Sequence, residues 1–143
     1  MASIFQRLIS FFMSVLAFFG ITFGSQTKPP AETVDTVAAY DLRNGEVRFS
    51  FKSNPTTGYN WYVTQNGNSV AQTEDVYVSD AQGNVGGAGG TQYYTFNAVS
   101  PGKTTITFRY ERSWETDPPV YTYIAQITVN GDLSVSLDSF KAV

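Results

Sequence analysis

The sequence predicts an all-β sandwich, and three observations predict it. Apolar residues recur with period two rather than 3.6 from residue 34 onward. Turn signals separate the runs at short intervals: Asn44-Gly45, Asn66-Gly67, Gly83-Asn84, Pro101-Gly102, Pro118-Pro119 and Asn130-Gly131. The strands between them are rich in Thr, Val, Tyr and Phe, the residues that fit a pleated, half-buried surface.

The elements follow in order. A first strand is expected over Val34–Leu42. The second, Gly45–Lys52, shows the clearest alternation, with Val47, Phe49 and Phe51 set against Arg48, Ser50 and Lys52. The third, Tyr59–Thr64, carries Trp61 and Val63 on one face. Val76 and Val78 mark a short fourth strand, Val76–Ser79. The fifth, Thr91–Ala98, alternates Tyr94, Phe96 and Ala98 with Thr95 and Asn97. The sixth, Lys103–Tyr110, turns Ile106, Phe108 and Tyr110 to one side. The seventh, Tyr121–Val129, does the same with Tyr123, Ala125, Ile127 and Val129, and an eighth is expected near Leu133–Leu137. No helix is expected in this part of the chain. Seven to eight short strands at this spacing suggest an immunoglobulin-like β-sandwich.

A leader precedes the domain. Met1 to Arg7 forms a short basic segment, and Leu8 to Phe23 is apolar apart from Ser10, Ser14, Gly20 and Thr22. The run is shorter than the roughly 20 residues that span a bilayer, and its flanks suit a signal peptide better than a transmembrane helix. An amphipathic or buried helix would need a polar face or a covering layer, and an uncleaved signal anchor is the stronger rival. The chain is therefore read as a signal peptide at residues 1–24, an extended linker with Pro29 and Pro30 at 25–33, and a β-domain at 34–143. A secretory-pathway protein is expected, either secreted or held in a lysosomal or vacuolar lumen.

Composition excludes several functions. Cysteine and histidine are both absent from the 143 residues. Nucleophilic Ser-His-Asp and Cys-His arrangements and histidine metal sites are thus impossible, and the core must hold without disulfides. Beyond the leader stand twelve acidic and eight basic residues with no basic cluster, so nucleic acid is not an expected partner. Glu111, Glu115 and Asp117 share a loop but surround Arg112 and have nothing to bury them. They read as a solvated rim rather than an acid–base pair. Neither an enzyme nor a cofactor or metal site is expected, and after loss of the leader neither is a membrane.

Three loops remain, and alternating strand directions bring them to one end. The first holds Asn54-Pro55-Thr56-Thr57-Gly58-Tyr59-Asn60-Trp61, an uncharged octet. Asn54 can close an Asx turn, Pro55 fixes its φ, Thr56 and Thr57 are stiff at χ1, and Gly58 can leave through positive φ. A bland turn explains Trp61, a core residue, but not two exposed β-branched neighbours. The second, Gly83–Gly90, has five glycines among eight residues. It could be a plain linker, or a surface permitting close backbone approach. A phosphate loop is excluded by the missing Gly-Lys-Ser/Thr ending and following helix. The third, Glu111–Val120, presents Arg112 and Trp114, side chains enriched at binding hot spots, unless Trp114 folds back on the end of the sandwich with Arg112 paired to Glu111 or Glu115.

The octet resembles the first inhibitory loop of the chagasin-type inhibitors of cysteine peptidases, Asn-Pro-Thr-Thr-Gly-aromatic-x-Trp. Gly87-Ala88-Gly89-Gly90 is similar to the Gly-x-Gly-Gly loop of that family. Arg112-Ser113-Trp114 is similar to its Arg-Pro-Trp loop, with Ser113 in the place of proline. The resemblance spans roughly Val37 to Val129. It implies a reversible, tight-binding inhibitor of papain-like cysteine peptidases, expected as a monomer. Asn54, Pro55, Thr56, Thr57, Gly58 and Tyr59 would enter the cleft with Thr57 nearest the catalytic cysteine. The other two loops would clamp the enzyme on either side, with Arg112 and Trp114 as anchors. A non-inhibitory immunoglobulin-like binding module, such as an adhesin or peptidase-sorting receptor, would use the same loops without inhibition.

Overall fold

The structure, a computed structural model, describes residues 32–81 and 88–143. The leader, most of the linker, and residues 83–87 of the glycine loop, Gly87 included, lie outside the described residues. The described residues form two antiparallel sheets. Eight strands build them: β2 (Ala38–Arg43), β3 (Glu46–Ser53), β4 (Asn60–Asn66), β5 (Val70–Ser79), β6 (Gly90–Ala98), β7 (Gly102–Glu111), β8 (Tyr121–Val129) and β9 (Val135–Ala142). A two-residue strand, β1 (Glu32–Thr33), pairs with Tyr40 and Ala39, so the last two residues of the expected linker belong to the sheet. One sheet runs β1-β2-β3-β6-β5 and the other β4-β7-β8-β9.

The alternation read from the sequence builds the core. Val47, Phe49, Phe51, Phe96, Ile106, Phe108, Ala125 and Ile127 are fully buried. Their rings meet between the sheets: Phe49 and Phe51 of β3 lie 5.0 and 4.7 Å from Phe108 of β7. Trp61 stacks on Phe51 at 4.2 Å, and its indole N–H donates to the Lys52 carbonyl at 3.0 Å. This bond matters because a buried indole N–H without a partner is costly.

Four expectations need correction. The strand expected at Val76–Ser79 begins at Val70 and runs ten residues, with a register shift between Gln72 and Glu74. β5 ends its sheet, and after Val70 its side chains are largely exposed, Val76 and Val78 included. With no buried face it has no alternation to read. Instead Glu74 accepts bonds from Arg48 and Thr95 on the outer surface. The first strand starts at Ala38 because Asp35 Oδ1 caps Val37 N–H and Ala38 N–H at 2.7 and 2.9 Å, closing an Asx turn. Burial raises the Asp35 carboxyl pKa, but hydrogen bonds from Tyr123, Val37 and Ala38 outweigh it and hold the group below its ordinary value.

The last strand is Val135–Ala142 instead of Leu133–Leu137. Leu133 sits in the preceding turn at φ +67°, where Asp132 accepts from Ser134 N–H. Lastly, a 3-10 turn occupies Pro55–Thr57 where no helix was expected. Pro55 suits its first position, having the required φ and no N–H to leave unpaired.

Candidate functional site

The 3-10 turn shapes the octet. Thr57 N–H donates to the Asn54 carbonyl at 3.1 Å and Gly58 N–H to that of Pro55 at 2.9 Å. Gly58 ends the turn in the left-handed region at φ +87°. The hydroxyls of Thr56 and Thr57 turn back on the same residue, Thr56 donating to Asn54 Oδ1 and Thr57 to the Asn54 carbonyl, each at 2.6 Å. Both threonines are exposed. The tip therefore shows its surroundings methyl groups and hydroxyls whose protons are already donated.

Arg112 ties the third loop to the first. Its Nε and Nη2 donate to the Thr57 carbonyl at 3.1 and 3.0 Å, and its Nη1 to Glu115 Oε2 at 2.9 Å. The guanidinium also lies 4.3 Å over the Tyr59 ring. The hydrogen bond to Glu115 is the largest influence holding its pKa above the usual arginine value. Arg112 was expected as an anchor for a partner, but its three nitrogens are engaged within the protein. Trp114 remains free to play that part, being 68% exposed. Its ring edge lies over Gly58, where a Cβ would sit 2.7 Å from Cη2. Ser113 and Trp114 are the central residues of a turn closed by Glu115 N–H on the Arg112 carbonyl at 3.2 Å. Ser113 holds the second position, the one proline favours.

The described end of the glycine loop, Ala88 to Gly90, reaches the same place. Gly89, at φ +77°, packs close to the Ser53 carbonyl and the Asn54 side chain, and its own carbonyl accepts from Asp80 N–H at 2.9 Å. Gly90 is buried between Ser53 and Ser79 at the start of β6, where a Cβ would run into the Val78 carbonyl. It is a packing glycine. Ala88 is exposed. All the described parts of the three motifs thus gather at one end of the sheets.

Sequence reasoning missed Tyr110. Read as one more inward residue of an alternating strand, it is half-buried, and its hydroxyl oxygen accepts the Asn54 N–H at 3.1 Å. Its ring continues a stack that begins with Tyr59 at 5.4 Å and ends on Trp61 at 4.8 Å. The octet is thereby fixed to the core through aromatic faces. The only sequence signal would have been a tyrosine at the strand end nearest the suspect loops. Among the described residues no group of three or more His, Cys, Asp or Glu gathers to hold a metal ion.

The chain is matched over residues 43–129 by the family model of the chagasin family peptidase inhibitor I42. Among solved structures, a cysteine protease inhibitor from Entamoeba histolytica shares the fold with a TM-score of 0.53. It is 21% identical, and the likeness covers 59% of this chain and 78% of that one. No curated protein matches the chain.

Proposed function

The chain belongs to the chagasin family of peptidase inhibitors, and from that premise we propose that it inhibits papain-like cysteine peptidases by reversible occlusion of the active-site cleft. It acts as an inhibitor and not as an enzyme. The observation that carries the cleft reading is the tip at Thr56 and Thr57, exposed and uncharged, with both hydroxyl protons already bonded to Asn54. A surface whose donors are satisfied internally can be dehydrated by a partner without leaving them unpaired. A tip held by the 3-10 turn and by Arg112 also has little conformational entropy to lose on binding.

Trp114, exposed beside that tip, supplies the aromatic anchor, and Ala88 and Gly89, next to Asn54, let an enzyme surface approach the backbone. Three loops of this kind can cover a standard interface of roughly 1,600 Å². The strand order supports an immunoglobulin-like sandwich: β2-β3-β6-β5 facing β4-β7-β8 is the ABED and CFG arrangement. The apolar leader fits a monomeric inhibitor sent into the secretory pathway, to meet its target in a lumen or outside the cell.

Titration of papain with wild-type protein and with Thr57→Glu tests the reading. The wild type should inhibit at stoichiometric concentration. The carboxylate, forced into a closed cleft, should weaken inhibition by about 10²-fold or more at unchanged melting temperature. Equal inhibition by both folded proteins would remove the octet from the interface. Binding by the wild type without inhibition would mark a non-inhibitory binding module.

A further inference from the structure

A loop that enters a peptidase cleft is exposed to the enzyme's chemistry, and the structure holds one group placed to prevent it. The Thr57 carbonyl oxygen accepts two N–H groups of Arg112, at 3.1 and 3.0 Å. A carbonyl oxygen has two lone pairs, so its accepting capacity is filled. The guanidinium is itself fixed on two sides, by Glu115 at 2.9 Å and by the Tyr59 ring at 4.3 Å. On the other side of the same peptide bond, Gly58 N–H is held by the Pro55 carbonyl at 2.9 Å. Both polar atoms of the Thr57–Gly58 peptide are thus bound within the protein.

Resting on the inhibitor reading above, we propose that Arg112 is a positioning residue that keeps the Thr57–Gly58 bond from being hydrolysed, and so separates inhibitor from substrate. Hydrolysis would need the peptidase thiolate to add to the Thr57 carbonyl carbon, moving the carbonyl electron pair onto oxygen. That oxyanion would have to enter donors supplied by the enzyme. Collapse would expel the Gly58 nitrogen, which takes a proton, and water would then cleave the thioester to leave a carboxylate at Thr57. With Arg112 in place the oxygen points into the inhibitor's own guanidinium and cannot also lie in the enzyme's oxyanion site. The attack geometry, which must hold reacting atoms about 3–3.5 Å apart and aligned, is not reached. Arg112 therefore acts through the inhibitor's own backbone, and all three of its nitrogens bond within the protein.

The test incubates the full chain with a small molar fraction of papain and follows intact mass and residual peptidase activity together. Wild type should stay whole and the enzyme stay silent. Arg112→Ala and Arg112→Lys should inhibit at first and then release activity, as cleavage between Thr57 and Gly58 adds one water across that bond. Loss of two charge-assisted bonds should raise the cutting rate about tenfold or more. Glu115→Gln, which loosens the guanidinium but leaves it in place, should fall between. Melting temperatures separate these effects from unfolding, and Glu115→Gln carries the test if the Arg112 variants do not fold. Variants that bind more weakly yet stay uncut as long as wild type would overturn the proposal, as would cleavage confined to other bonds. If wild type does not inhibit papain at all, the inhibitor reading falls. The lock is then judged with subtilisin: resistance at Thr57–Gly58 in wild type and cutting there in Arg112→Ala would uphold it, and equal resistance would sink it.

Discussion

At one end of the sheets, buried hydroxyls join Ser69, in the turn before β5, to Thr104 of β7; at the other, the half-buried Arg112 joins two loops beside an exposed Trp114. The Ser69 and Thr104 hydroxyls lie 2.5 Å apart, and Ser69 N–H donates to Thr104 Oγ1 at 3.1 Å. The Ser69 carbonyl takes the N–H groups of Val99 and Ser100. Ser69 and Thr104 are 4% and 2% exposed, whereas Trp114 is 68% exposed. Both ends are cross-linked between distant segments of chain. The first linkage needs nothing further, since its polar groups are satisfied and its surface covered. The second leaves a large aromatic ring in solvent, an arrangement that gains only when a partner covers it.

Glycines at the two ends sharpen the contrast. Gly67, at φ +118°, has no room for a Cβ, which would lie 2.5 Å from the Lys103 carbonyl oxygen and 2.9 Å from Thr104 Cα. Those walls are backbone and cannot move aside. Gly67→Ala should therefore lower stability by about 2–4 kcal/mol in denaturant unfolding, while the fraction that stays folded inhibits normally. A next-smaller effect is expected at the other end. Trp114→Ala should weaken peptidase binding by about 2 kcal/mol, roughly 30-fold, with the melting temperature unchanged. A matching loss of stability would mean that Trp114 is a core residue of its own domain.

Gly58→Ala should show both effects in smaller measure. Its left-handed φ disfavours alanine by about 1–2 kcal/mol, and the Cβ meets the far edge of the Trp114 ring rather than backbone. The ring can swing away, so stability falls modestly and inhibition falls with it. The smallest change runs the other way. Ser113→Pro places proline at the second position of a closed turn and should tighten inhibition by about 0.4–1 kcal/mol by narrowing the free loop's ensemble. Weaker inhibition would show that the bound loop departs from this turn.

Much of this was legible in the sequence, and the omissions have two causes. β3, β7 and β8 alternate buried with less buried residues, and β4 and β6 turn Trp61, Tyr94 and Phe96 into the core, so alternation marked them, and the octet's turn chemistry marked the first loop as rigid. β5 buries little beyond Val70 and therefore left only Val76 and Val78 as a trace. Pairing of Arg112 to Glu115 was readable as an alternative, but its engagement with the first loop was invisible for a different reason. It is a bond to a carbonyl 55 residues earlier, and an exposed arginine in a loop reads the same whether it awaits a partner or serves its own backbone. Tyr110 was hidden likewise, since strand alternation predicts a ring's burial but not where its hydroxyl goes. Patterning within an element is readable from residue types; pairing between loops requires the fold.

Occlusion requires the loop end to occupy the peptidase cleft itself. Calorimetric titration of papain with its cleft open, and again with the cleft filled by a covalently attached peptidyl group, tests it most directly. One-to-one binding to the open enzyme and its loss on the filled enzyme is the predicted result. Equal affinity for both would place the contact outside the cleft and rule out occlusion.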